Sequence, residues 1–232
     1  MKKLAENIIM LAVDSDYGLF HPVLIWDDNH LGLIDLGWPD QSAPLFRAIE
    51  EAGFRPQDIT DAFITHQDLD HFGNVNELLD LSPNLRLWLH EVEAPYLDGS
   101  KIPVKLAEKL EKFDAFTDEE KAEARHMESE YKKRILPKSH VNTVSESTVL
   151  PMCGGIKFIL VPGHTPGAMV VYLQESGIAI CGDSLNIHNG QITGPDPRYS
   201  QDMEVGMQSV EKMKAHGMKG MVAYHGGYLK LV

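Results

Sequence analysis

The sequence predicts an α/β fold. Apolar runs of strand length recur along the chain, at residues 8–13, Val23–Trp26, 31–35, 61–64, 85–89, 158–161, 178–181 and 221–223. Segments between them carry apolar residues at helical spacing, as Leu45, Phe46, Ile49 and Ala52 do. Glycines and prolines cluster just after several of the runs, where a strand gives way to a turn. A chain of 232 residues can bury one good-sized core, as a single α/β domain or as one domain with a helical insert.

Residues 8–13, Val23–Trp26 and 31–35 read as successive strands. Asp27-Asp28-Asn29 supplies turn residues between the second and third, which predicts a hairpin ended by Leu36-Gly37. A helix over 43–52 follows, with Gly53 at its C-cap position. Residues 61–64 form the next strand, Asn74 caps a helix reaching Leu79, and 85–89 is a strand with His90 opening a helix beyond it. From Lys101 to Leu136 the chain is rich in Lys, Glu and Ala, with Leu106, Leu110, Phe113 and Phe116 at helical intervals. Thr117 before Asp118-Glu119-Glu120 reads as a helix N-terminus. These features describe a helical insert over about residues 99–142, within a single domain spanning 1–232. Short strands and glycine turns resume beyond Val144. The last long helix falls at 201–215, and its stripe of Met203, Met207, Val210 and Met213 reads as core packing.

A net charge of -13 speaks against a polyanionic partner, since nucleic-acid binders carry a basic face. The two cysteines, Cys153 and Cys181, form no CxxC pair. That argues against a disulfide framework and suits a reducing, cytoplasmic setting. Cys181 reads as a buried structural thiol. Met1-Lys2-Lys3 and residues 4–13 faintly imitate a signal peptide, but Glu6 and Asn7 interrupt the apolar stretch and no small-residue cleavage pattern follows. No apolar run approaches transmembrane length.

The chemistry concentrates in His66-Gln67-Asp68-Leu69-Asp70-His71, which packs two imidazoles and two carboxylates into six positions after an apolar run. Buried carboxylates cost several kcal/mol unless paired or bound to a cation. A metal ion neutralises them and uses the imidazole lone pairs. The chain then returns with His164 in Pro162-Gly163-His164-Thr165-Pro166-Gly167, Asp183 in Cys181-Gly182-Asp183, and His225 in Tyr224-His225-Gly226-Gly227. Each stands just after a strand-like run. The spacing i, i+2, i+4, i+5 differs from the i, i+4 of a helical HExxH site and suits a loop leaving a strand. An EF-hand is excluded, because Phe72 and Leu79 occupy positions that need oxygen ligands. Asp183, the lone carboxylate of the later set, is the natural bridge between two cations. Asp70 is a candidate both for ligand and for proton acceptor.

Taken in order, these motifs resemble the metallo-β-lactamase superfamily, from Leu33-Ile34-Asp35-Leu36-Gly37 to His225-Gly226-Gly227. The resemblance implies a four-layer αββα sandwich with a binuclear site along one sheet edge. It implies that His66 and His164 hold metal one, that Asp70, His71 and His225 hold metal two, and that Asp183 bridges. The family's HxHxDH is here HxDxDH, with Asp68 in place of the second histidine. As a ligand, Asp68 hardens site one. Two divalent ions follow, zinc first, with iron or manganese admitted by the carboxylate. Alternatively, Asp68 misses the ion and leaves that site weak.

The function implied is a metal-dependent hydrolase in which a metal-bound hydroxide attacks an ester, lactone or thioester carbonyl and Asp70 manages the proton. The insert would roof the pocket, with Phe113, Phe116 and Tyr131 as apolar contacts or as plain packing. The alternative is a non-haem iron oxidoreductase, persulfide dioxygenase-like or diiron, built on His66, His164 and Asp183. A non-catalytic binder is the third reading. His21, His30, His126, His140 and His216 read as surface or capping groups, and His188 as a non-catalytic neighbour of the pocket. Gly182-Asp183-Ser184-Leu185 spells a serine-esterase signature without a matching Ser/His/Asp context, and no GxSxG elbow occurs. The expected partner is a small-molecule substrate, with no nucleic acid and no membrane surface, and a homodimer is compatible with the sequence.

Overall fold

Two sheets face each other in the computed structural model of the chain, which describes residues 1–231. The first has seven strands, in the order Lys2–Ala5, Ile8–Met10, Val23–Trp26, Leu31–Ile34, Asp61–Phe63, Arg86–His90 and Val141–Val144. It is antiparallel through the Val23–Trp26/Leu31–Ile34 hairpin and parallel beyond it. The second has six strands, in the order Val149–Leu150, Ile156–Leu160, Met169–Leu173, Ile178–Ile180, Gly220–Ala223 and Gly227–Lys230. Its one parallel pair joins Ile178–Ile180 to Gly220–Ala223.

Side-chain alternation sorts the core into three apolar layers. Val23, Ile25, Ile34 and Phe63 of the first sheet meet Phe158, Met169, Val171, Ile180 and Val222 of the second, and this is the core between the sheets. Leu24 and Leu33, one residue out of phase, face the opposite way and pack with Leu45 and Ile49 of the helix Ser42–Glu51 and with Leu78 of Val75–Leu81. Ile159, Val170, Ala179 and Met221 likewise turn outward onto Val210 and Met213 of Met203–Ala215. Helix, sheet, sheet and helix are thus stacked through three buried seams, the αββα arrangement.

Several elements differ from the sequence reading. The run 8–13 is broken: its pairing with Val23–Trp26 ends at Met10 opposite Val23. Pro22, next on the partner, has no N–H to continue the ladder. Val13–Ser15 pairs instead with Gly18–Phe20. Lys2–Ala5 adds a strand ahead of the run 8–13 that the apolar pattern does not predict. Asn74 stands at the N-cap position, but its side-chain oxygen accepts no N–H of its own helix; its amide donates to the Leu36 carbonyl at 2.6 Å. His90 closes a strand instead of opening a helix, and His21 is buried, with its Nδ1 2.9 Å from the Tyr224 carbonyl. Thr117 does form a capping box with Glu120 at the head of Asp118–Lys133. Val104–Glu111 and this helix make up most of the region 99–142. No helix among the described residues is long and apolar enough to cross a membrane.

One turn ties the two sheets together. Asp27 accepts hydrogen bonds from the N–H groups of Asn29 (2.8 Å) and His30 (2.9 Å) within the hairpin, and from Cys153 N (2.7 Å) ahead of Ile156–Leu160. Burial pushes its carboxyl up, but the Cys153 and Asn29 amides and the His30 ring outweigh burial and hold it at about 2. A depressed folded value adds stability above the unfolded value near 3.8, and that stability is lost as pH falls through about 2. Asp27→Ala is therefore expected to lower the unfolding free energy by about 1–2 kcal/mol in urea titrations at neutral pH. It should also remove part of the wild-type decline in stability between about pH 4 and 2.

Candidate metal centre

All the ligand motifs lie past the C-terminal ends of strands, where both sheets open toward the same edge. His66 follows Asp61–Phe63, and Asp68 precedes the one-turn helix Leu69–Phe72 that carries Asp70 and His71. His164 follows Ile156–Leu160, Asp183 follows Ile178–Ile180, and His225 follows Gly220–Ala223. Gly182 lets the second sheet close on the first. Its φ is +52°, and a Cβ there would stand 2.5 Å from Thr65 Oγ1, so only glycine admits the Asp183 turn beside the His66 loop.

Asp70, His71, Asp183 and His225 form one cluster. His71 Nε2 lies 3.4 Å from Asp70 Oδ2 and 3.6 Å from Asp183 Oδ1. His225 Nε2 lies 3.2 Å from Asp70 Oδ2 and 3.5 Å from Asp183 Oδ2. Donors bound tetrahedrally at 2.0–2.1 Å stand about 3.4 Å apart, so the four are spaced as ligands of one ion.

The His71 ring is fully buried, and its Nδ1 lies 2.8 Å from Asp35 Oδ2. The Nδ1–H donates to that carboxylate, which frees Nε2 to act as a ligand. Nε2 is buried without a hydrogen-bond partner and faces two carboxylates. Burial alone would depress His71, yet Asp70, Asp35 and Asp183 hold it well above the ordinary value. Burial is likewise overcome at His225, which Asp183 and Asp70 raise to about 10. The carboxylates thus demand positive charge at these nitrogens, and a divalent ion meets that demand with both Nε2 atoms deprotonated.

His66, His164 and Asp183 form a second group. His164 Nε2 lies 3.8 Å from Asp183 Oδ2. Asp68 Oδ2 stands 3.2 Å from His66 Nε2 and 2.9 Å from His164 Nε2, and it also pairs with the ammonium of Lys105. Lys105 Nζ is itself 3.3 Å from His164 Nε2. Burial and the neighbouring His71 depress His66 to about 4. All seven expected ligands therefore converge on one edge, with Asp68 engaged by two imidazoles and a lysine.

Sequence reasoning gave no role to three residues here. Asp35 accepts from Thr65 N (2.9 Å) and Thr65 Oγ1 as well as from His71. It was detectable as a lone acid inside the apolar run 31–36. Glu93 is fully buried and takes Gln67 N and Nε2 on one oxygen, and Thr165 Oγ1 and Gly167 N on the other. It pins the His66 loop to the His164 loop. Lys105 lies in a helix rich in lysine and glutamate, where nothing in the spacing marks it.

A cavity of about 550 Å³ opens over the cluster, lined by Trp38, Asp70, Lys105, Tyr131, Arg198 and His225 among others. Of the insert aromatics named from sequence, Tyr131 reaches the cavity. Phe113 and Phe116 do not line it; they lie, half-buried, at the turn between Val104–Glu111 and Asp118–Lys133. Cys181 is buried in the outer apolar layer of the second sheet, where burial pushes its thiol up to about 12.

A family model for the metallo-beta-lactamase superfamily matches residues 21–216. The chain belongs to this superfamily. The superfamily consists largely of metal-dependent hydrolases. Among curated relatives, the probable metallo-hydrolase YflN of Bacillus subtilis (strain 168) is 21% identical over 206 residues, covering 84% of this chain and 74% of that protein. Among solved structures, the metallo-beta-lactamase family protein TTHA1429 from Thermus thermophilus superposes with a TM-score of 0.76 at 19% identity, over 98% of this chain and 76% of that one. The dizinc quorum-quenching lactonase AidC, in complex with the product N-hexnoyl-L-homoserine, gives 0.66 at 19% identity over 92% and 79%. At these identities the structures bear on the fold alone, and the superfamily fold agrees with the αββα layering.

Loss of the Asp35 carboxylate should weaken any divalent ion held through His71. Asp35→Asn is expected to lower zinc affinity about 10–100-fold in chelator competition, with the fold retained. Unchanged affinity would show that His71 needs no orienting anion.

Proposed function

We propose that this chain is a metal-dependent hydrolase acting on the carbonyl of a small ester, lactone or thioester. One observation carries the reading: His71 Nε2 is buried, unpartnered and aimed at Asp70 and Asp183, with His225 completing the set. Asp70, His71, Asp183 and His225 would hold a divalent ion, zinc first. When bound, such an ion supplies Lewis acidity and brings the pKa of a coordinated water toward about 7.

The chain's own groups supply the rest. Asp70 stands at the cavity wall with its side chain 11% exposed and is the group we assign as proton acceptor. Burial pushes its carboxyl up, but His71 and His225 outweigh burial and hold it well below the usual range, so it stands ionised there. Asp35 and Tyr224 hold the cluster still; the Tyr224 hydroxyl donates to the Asp70 carbonyl at 2.8 Å. Preorganised groups of this kind avoid reorganisation as charge develops. Trp38, Leu69 and Tyr131 offer an apolar wall for an acyl or leaving portion and displace water from it. The small-molecule scale of the cavity fits a single compact substrate better than a polymer. A cytoplasmic setting goes with this reading, since Cys153 and Cys181 are both free thiols.

YflN's description as a probable metallo-hydrolase and AidC's as a lactonase support the hydrolase class. The oxidoreductase alternative needs His66, His164 and Asp183 free to hold iron, and Asp68 and Lys105 already engage those imidazoles.

Zinc-loaded protein should turn over at least one member of a panel of lactones, thioesters and aryl esters. Asp183→Ala should lose the metal and on the order of 10³-fold in kcat/KM, a little over 4 kcal/mol of transition-state stabilisation. Full metal content and full activity in Asp183→Ala would contradict the assignment of this carboxylate. Metal-loaded protein inert toward the whole panel would contradict the hydrolytic reading.

A further inference from the structure

The two ligand groups are not equivalent. Around Asp70, His71, Asp183 and His225, no lysine or arginine among the described residues pairs with either carboxylate, and one buried nitrogen has no partner. Around His66 and His164, a cation of the chain is already in place. Asp68 Oδ2 gathers His66 Nε2, His164 Nε2 and the Lys105 ammonium, and the ammonium lies 3.3 Å from His164 Nε2. We propose that Lys105 takes the place of one of the two ions, so that the chain holds a single metal ion, at Asp70, His71, Asp183 and His225. The inference rests on the metal reading above and narrows it.

Lys105 is not a mobile surface lysine that happens to reach inward. Its side chain is 24% exposed, and the Asp68 side chain it pairs with is 8% exposed. It sits in the first turn of Val104–Glu111, and the adjacent Val104 N donates to Gln67 Oε1 at 2.7 Å. Gln67 belongs to the ligand loop itself and is fixed by Glu93 through both its backbone and its amide. Leu106, on the other side, is buried in the outer core of the first sheet. The helix start is therefore fastened to the residue between His66 and Asp68, and Nζ is delivered to Asp68. The Tyr199 ring flanks the ammonium at 5.4 Å.

Charge explains the consequence. Asp68 replaces a neutral imidazole of the family pattern with an anion, and Lys105 neutralises that anion. A divalent ion between His66, His164 and Asp183 would face a like charge a few ångströms away, with Asp68 already engaged. The ammonium also lines the cavity, where it offers positive charge to a substrate oxygen.

Zinc counts decide the matter without recourse to turnover. Wild type, Lys105→Met and Lys105→Arg are stripped, reloaded with excess zinc, desalted and measured by plasma mass spectrometry. One zinc per chain is expected in wild type and Lys105→Arg, and two in Lys105→Met, where Asp68 becomes free to bind. Two in wild type, or one in both wild type and Lys105→Met, overturns the inference. None in wild type overturns the metal reading itself, which separates the two failures. Zinc-edge X-ray absorption on wild type serves if Lys105→Met does not fold. A zinc–zinc vector near about 3.5–4 Å overturns the inference and its absence supports it.

Discussion

Crowded negative charge is the constraint on which the rest of this structure depends. Asp35, Asp68, Asp70 and Asp183 stand among His66, His71, His164 and His225 at one edge of the two sheets, and most of these groups are buried. Carboxylates removed from water must be met by positive charge, or they take up protons or the fold opens. Here the chain meets one with a lysine and leaves a four-donor cluster for a cation. The architecture delivers this arrangement because strand ends from both sheets open toward the same side. Each sheet carries part of the ligand set past its C-terminal ends, and the apolar seam between the sheets fixes their relative position.

The supporting groups are as buried as the ligands. Asp35 orients His71, Glu93 joins the His66 and His164 loops, and Tyr224 bridges Gly37 N and the Asp70 carbonyl. Removing any of them would leave a buried partner unsatisfied, which couples the stability of this edge to the geometry of the site. Superfamily membership supplies the layers; the chemistry is set by what lines the cavity. Asp68 and Lys105 are the local features through which this chain departs from the HxHxDH pattern.

Much of this was legible in the sequence because it is local. The alternation that separates Val23 and Ile25 from Leu24 is a period of two, and the box of Thr117 and Glu120 is a spacing of three. The candidate ligands were legible because four crowd into the stretch His66–His71 after an apolar run, and His164, Asp183 and His225 each stand singly past such a run with glycine beside them. What was hidden depends on partners distant along the chain. Lys105 pairs with Asp68 and Glu93 with Gly167, and no local pattern marks either. Asn74 was placed correctly as the residue before a helix, yet its side chain serves Leu36. Phe113 and Phe116 have helical spacing, but they fall at the turn between the two helices of the insert and do not line the cavity.

The central claim is that a cation belongs between Asp70, His71, Asp183 and His225. Anomalous diffraction at the zinc edge, from crystals of the zinc-loaded protein, tests it most directly. The account predicts a peak with His71 Nε2, His225 Nε2 and oxygens of Asp70 and Asp183 at about 2.0–2.2 Å. A metal-containing crystal with no peak inside that cluster, and zinc bound only elsewhere, would contradict it.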